Sequence, residues 1–350
     1  MSNEITISNG NQSQSGLQVE VKHPANKNPV ISYLASLNSK DSRRVQKSAL
    51  DKIAAVLSQG KIKDSIEFPW ENLDYGTVTA IKAWLNTYYA PATVNRYLCA
   101  VRRVIKEAWR HDLISAEHYQ RATDVQSISA QRLPTGRELD IKEIRNLIRV
   151  CLDDEDNPTL GIRDAAIISL MYSSGLRRAE VVTLDLDDLD LKKGELRVIG
   201  KRNKERKAYL AKGAITAIEN WLSRRGTSPG PLFYAVNKSG KIIRERKERL
   251  SEDEKKLHIE PDVIIARLSD QTIYHVISNR ADQAGLIKKT TPHDMRRTFV
   301  SDLLEVGVDL STVSKMAGHE DTNTTKRYDR RSSKVMREAI NKLDVPYPKK

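Results

Sequence analysis

Cysteine is scarce in this chain, with two among 350 residues, Cys99 and Cys151. Both lie among apolar residues of helical period and neither has a partner at metal-ligand spacing, so they read as buried thiols in a reducing compartment. Long apolar runs are missing too. No stretch approaches the roughly eighteen residues of a membrane span, and no basic-apolar-small leader opens the sequence. The phosphate-loop pattern GxxxxGK[ST] and the zinc pattern HExxH do not occur. The acidic run Asp153–Asp156 lacks the spacing and the glycine of a calcium loop and reads as a surface loop. Neither a metal nor a nucleotide cofactor is expected.

Positive charge is plentiful. The formal net charge is +13 and the isoelectric point is near 9.5. A polyanionic partner, most often nucleic acid, is the ordinary reason for such an excess. The length suggests two domains.

Residues 1–24 are rich in Ser, Asn, Gln and Gly and read as a disordered tail. Helical periodicity then runs from Val30 through Tyr33, Leu34 and Leu37, from Asp41 to Gln59, and on to Tyr89. The helix opened by Pro91-Ala-Thr93 is the most informative. Val94, Leu98, Val101, Ile105 and Trp109 make one apolar stripe, and Arg96, Arg103, Lys106 and Arg110 centre on the opposite face. That face is either solvated or set against phosphates; only Glu107, near its edge, breaks the single sign. Residues 25–122 form the expected helical domain and 123–137, without apolar period, a linker.

The second domain, 138–350, opens with a helix to Leu152. An apolar helix from Ala165 to Tyr172 ends in Ser173-Ser-Gly-Leu-Arg177-Arg-Ala-Glu180. Arg177 thus follows a glycine break at the end of a buried helix, and Glu180 lies one turn on, where it can orient the guanidinium. A purely structural ion pair explains the motif as well. Strands are expected over 194–199 and 205–210, joined by the cationic turn Gly200-Lys201-Arg202-Asn203-Lys204. Residues 238–260 read as a charged surface insertion, helical around 245–256. A helix follows from Ser269 to Ala284, and a short amphipathic helix from Val335 to Leu343 carries Val335, Met336, Ile340 and Leu343.

Chemistry-bearing residues crowd the last quarter, in Thr291-Pro-His293-Asp-Met-Arg296, Ala317-Gly-His319 and Lys326-Arg-Tyr328. Tyrosine can act as a covalent nucleophile, arginine can clamp a phosphate, and histidine can hold or move a proton. Tyr328 has no apolar stripe to join. His293 shares a helix turn with Arg296, whereas His319 after Gly318 could equally cap a helix.

With these residues placed, the chain resembles the tyrosine recombinases, the phage integrase family, and within it the Xer-like members. The resemblance rests on Ser174-Gly-Leu-Arg177-Arg-Ala-Glu180, Gly200-Lys201, His293-Asp-Met-Arg296, Gly318-His319 and Tyr328. It covers residues 138–335 closely and 28–122 more loosely; the insertion near 240–260 departs from simpler members. It implies a mainly α fold with a small antiparallel β-sheet, in which a helical core-binding domain precedes the catalytic one. The implied catalytic residues are Arg177, Lys201, His293, Arg296, His319 and Tyr328, with Glu180 supporting Arg177. Thr93, Asn95, Arg96, Arg103, Lys106, Arg110, Arg202 and Lys204 are the candidate DNA contacts. The implied reaction cuts and rejoins DNA through a 3′-phosphotyrosine bond without a cofactor. Double-stranded DNA with paired sites is the expected partner, with four protomers assembled on it, accessory DNA-bending proteins in some cases, and a cytoplasmic, nucleoid-associated location. A mobile-element integrase or resolvase is the favoured role. Chromosome dimer resolution, relaxation of the type IB topoisomerase kind and a non-catalytic DNA-binding accessory are the alternatives.

Overall fold

The computed structural model describes residues 23–129, 136–200, 204–248, 260–319, 325 and 340–341. The chain divides into two compact units, Met1–Leu133 and Pro134–Lys350. The described residues are mostly helical, with small antiparallel sheets, the expected fold class.

The first unit is built from α1 (Pro29–Ala35), α2 (Lys40–Leu57), α3 (Tyr75–Tyr88), α4 (Pro91–Arg110) and α5 (Ala116–Thr123). Proline at the first turn starts α1 and α4, where its missing N–H costs nothing. Asn28 caps α1 and reaches across to the Ile66 carbonyl. Val94, Leu98, Val101 and Ile105 of α4 are fully buried against Leu50, Ile53 and Leu85. Trp109, at the end of that stripe, is instead partly exposed and stacks on Tyr119 at 5.4 Å.

The second unit centres on α7 (Pro158–Ser174), which packs against α6 (Ile141–Leu152), α9 (Lys212–Arg225) and α11 (Pro292–Glu305). Because helices cover it on several sides, α7 is buried on every face from Arg163 to Met171 and encloses Ile167, Ile168, Leu170 and Met171 completely. At Gly161 a Cβ would fall 2.0 Å from the Cys151 carbonyl oxygen, so α6 and α7 approach at a distance that admits only glycine. Arg163 and Arg280 are buried here, bonded to Asp164 and Asp154.

After α8 (Arg178–Thr183), strands β1 (Leu189–Asp190), β2 (Glu195–Ile199) and β3 (Glu205–Tyr209) make an antiparallel sheet. Ile199 pairs with Glu205, so β2 and β3 form the expected hairpin; Lys201 and Arg202 lie outside the described residues. Strands β4 (Ala235–Val236) and β5 (Ile242–Ile243) pair, as do β6 (Glu245–Lys247) and β7 (Val263–Ile265). Helices α10 (Asp270–Gln283) and α12 (Leu310–Ala317) flank α11.

Two expectations need correcting. The part of the insertion expected to be helical opens as a strand, Glu245–Lys247, because pairing with the β-branched run Val263–Ile265 overrides the helix propensity of Glu and Lys; 249–259 lie outside the described residues. Cys99 is exposed, on the outer side of α4, and only Cys151 is buried. Burial raises the Cys151 thiol to about 12. The amino-terminal tail to residue 22, most of the linker's second half (130–135), and Val335, Met336 and Leu343 of the last helix also lie outside the described residues.

Candidate active site

Gly175 ends α7 in the left-handed conformation at φ 60°, with Phe299 where a Cβ would go. This sharp exit throws Arg177 out at the start of α8. Its side chain is 44% exposed, although the helix before it is buried. Glu180, one turn on, is buried and reaches back to the Arg177 N–H at 2.8 Å while accepting from Arg177 Nη1 at 2.9 Å. Arg177 Nη2 donates to the Gly318 carbonyl at 3.0 Å.

Arg296 comes from α11 and is 5% exposed, donating Nη1 to the Gly175 carbonyl at 2.7 Å. The start of α11 is held firmly. Asp294 accepts from the backbone and hydroxyl of Thr291, completing a capping box, and from the Arg137 N–H. Thr298 accepts from the Leu139 N–H, and Arg297, fully buried, meets Glu138 and the Gly136 carbonyl. His293 stands on the first turn of α11, open to solvent on one side. Partial burial, then the Arg296 charge, push its imidazole below the ordinary value, against the pull of Asp294.

Gly318 terminates α12 in the left-handed region, and the His319 N–H closes the turn on the Ser314 carbonyl. The capping is therefore done by the His319 backbone, which leaves the imidazole for another task. Its Nδ1 lies 2.7 Å from the hydroxyl of buried Thr325. Burial, then the charges of Arg296, Arg177 and neighbouring groups, depress His319 to about 4. Arg177, His293, Arg296 and His319 thus converge from three separated segments, with Glu180 behind them. Tyr328 lies outside the described residues.

Sequence reasoning missed two participants. Arg206 of β3 donates Nη1 and Nη2 to Glu180 at 3.1 and 3.0 Å, and Thr325 holds His319. Strand alternation places Arg206 on the same inward face as Ala208, across from Val198, which is the signal that could have found it. The charges bearing on the site are mostly positive, and Glu180 is held ionised: burial works to raise it, but the Arg206 and Arg177 hydrogen bonds and charges keep it below the usual carboxylate value. Such a basin suits an oxyanion such as a phosphodiester.

On α4, Arg96 and Arg103 are exposed and Lys106 and Thr93 half-buried. Two of the candidate contacts have partners within the unit. Asn95 is occupied with the Ile128 backbone, donating Nδ2 to its carbonyl and accepting its N–H, so its amide is spent inside the unit. Arg110 is bonded to Glu107, which is buried rather than facing outward. Lys204 is exposed at the end of the β2–β3 turn, its carbonyl accepting from the Gly200 N–H.

The model of the phage integrase family matches residues 137–334, and that of the phage integrase SAM-like domain matches 29–126. The chain belongs to the phage integrase family, the tyrosine recombinases, enzymes that break and rejoin DNA in site-specific recombination. It is 29% identical to tyrosine recombinase XerC of Vibrio parahaemolyticus, over 82% of this chain and 81% of that protein. Identity to XerC of Pelobacter propionicus is 30%, covering 78% and 80%. Identity to XerD of Vibrio cholerae is 28%, covering 77% and 80%. Among solved structures, XerH recombinase in a post-cleavage complex with palindromic difH substrate superposes with a TM-score of 0.60 at 19% identity, covering 94% and 90% of the two chains. The Tn1549 transposon integrase with transposon right end DNA gives 0.62 at 14% identity, covering 91% and 99%. These likenesses show the fold.

Proposed function

We propose that this protein recombines paired sites in double-stranded DNA through a tyrosine–DNA intermediate, with the converging cluster as its phosphate pocket. The observation that carries this reading is the meeting of Arg177, Arg296, His293 and His319 around the Gly318 turn, on an ionised Glu180. Arg177 and Arg296 hold the two non-bridging oxygens and offset the charge that builds at phosphorus. A donor preorganised in this way is worth ~3 kcal/mol, so loss of either arginine slows cleavage about a hundredfold or more. Tyr328 attacks in line, forming the 3′-phosphotyrosine bond and releasing the 5′ oxygen, to which Lys201 gives a proton. His293 assists proton transfer at the tyrosine. With the Thr325 hydroxyl donating to Nδ1, neutral His319 carries its proton on Nε2 and donates it in a hydrogen bond to the phosphate. The covalent bond conserves the energy of the phosphodiester, so rejoining needs no nucleotide.

In this reading Arg96, Arg103 and Lys106, with Thr93, meet DNA phosphates from the helical unit, and Arg202 and Lys204 do so from the hairpin. Four protomers act on two sites. The charged insertion near 238–260 supports a mobile-element integrase or resolvase; the likeness to XerC and XerD supports chromosome dimer resolution as the alternative.

A nicked duplex carrying the sequence that flanks the coding region tests the chemistry. The expected result is a denaturant-resistant protein–DNA adduct, abolished by Tyr328→Phe. Identical behaviour of wild type and Tyr328→Phe would leave a DNA-binding accessory, and relaxation of plasmids lacking any site would indicate a topoisomerase.

A further inference from the structure

Arg206 stands behind the phosphate pocket, 16% exposed where Arg177 is 44% exposed. Both guanidiniums use one buried carboxylate. Glu180 accepts Arg206 Nη1 and Arg177 Nη1 on Oε1, and Arg206 Nη2 and the Arg177 N–H on Oε2. A carboxylate offers about four lone-pair sites, so these four donors fill it. Arg206 takes two of them in a fork and leaves Arg177 a single guanidinium bond. Two cations on one anion also leave a unit of positive charge uncompensated, and it is Arg177 that faces outward with it.

The same side chain lies under the Gly318 turn. A Cβ on Gly318 would fall 2.7 Å from Arg206 Nε and 2.9 Å from its Cζ. The carbonyl of Gly318 is in turn the second anchor of Arg177. Arg206 therefore touches both supports of Arg177, the carboxylate and the turn that carries His319.

We propose that Arg206 is a positioning residue that keeps Arg177 presented to the scissile phosphate by occupying the half of Glu180 that Arg177 would otherwise take. Without Arg206, Arg177 closes into a two-pronged pair with Glu180, leaves the Gly318 carbonyl and has its charge cancelled. This inference rests on the proposed assignment of Arg177 to a non-bridging oxygen.

The test measures single-turnover cleavage of the nicked duplex by full-length protein at saturating concentration. Arg206→Gln is expected to cleave about 10- to 100-fold more slowly, the scale of losing one charge-assisted contact, with DNA affinity unchanged. The decisive readout is a second duplex in which a methyl group replaces one non-bridging oxygen of the scissile phosphate. That removes the charge that Arg177 meets, so the deficit of Arg206→Gln relative to wild type shrinks to a few-fold, in parallel with Arg177→Ala. The deficit of Lys201→Ala, which concerns the leaving oxygen, persists. Arg206→Lys keeps a cation but not the fork; it gives a smaller deficit that shrinks in the same way, and it serves where the Gln variant is too unstable to assay. An Arg206 deficit equal on the two duplexes overturns the proposal, as does full activity of Arg206→Gln. Wild-type protein that forms no adduct defeats the tyrosine chemistry instead. Arg206 is then judged on the free protein by NMR titration of His319 in Arg206→Lys, which keeps the charge bearing on the imidazole but loses the fork, so that the titration moves only if Arg206 holds the Gly318 turn; an unmoved titration overturns the proposal.

Discussion

A neutral histidine among guanidiniums has a thermodynamic signature in the free protein. His319 is held near 4 when folded, against about 6.5 in an unfolded chain. Between those values the unfolded state binds the extra proton, so the contribution of His319 to stability is complete above about pH 6.5 and is lost as pH falls toward 4. The thermal midpoint should therefore fall over that window, and His319→Gln should flatten part of the fall. An unchanged slope in the variant would mean that the imidazole does not sit in the field described. Asp294 and Thr291 show a second lesson of this scale. Their side chains bond to each other, and this capping fixes the turn that carries His293 and Arg296.

Among the elements, α4 has the most divided character, one face packed and the other cationic. Its cations are not equivalent. Arg103 is exposed and forms no ion pair among the described residues, whereas Arg110 gives Nη1 to Glu107 at 2.8 Å. If α4 lies along phosphates, Arg103→Ala should lower the slope of log affinity against log salt by about 1, and Arg110→Ala by less. Equal slopes for both variants and wild type would remove α4 from the interface. The helix itself was legible in the sequence because Val94, Leu98, Val101 and Ile105 repeat at helical steps. So was the Arg177–Glu180 pair, whose spacing is one turn. Arg206 was not, since Glu205-Arg206-Lys207 looks like solvated charge until pairing with β2 decides which way each side chain points. The bond of Asn95 was hidden for the same reason: its partner, the Ile128 backbone, is 33 residues away. Spacing reveals partners within an element, and only tertiary packing reveals the rest.

At the scale of the whole molecule, each compact unit has a core of its own, around Leu98 in one and Ile167 in the other. The few residues that open the second unit matter more than their lack of regular structure implies. Gly136, Arg137 and Leu139 bond through their backbones to Arg297, Asp294 and Thr298, all buried on α11. Wherever an experimenter severs the two halves, that strand of chain decides whether the carboxyl-terminal half survives. A fragment beginning at Pro134 should unfold at a midpoint close to that of the same unit in the intact protein. One beginning at Asp140 takes a hydrogen bond from each of three buried side chains, a loss of about 1–3 kcal/mol apiece, and should melt well below it or fail to accumulate. Equal melting of the two fragments would show that the lacing is ornamental; the expected gap makes residues 136–139 the selvedge of the catalytic half, which unravels when trimmed.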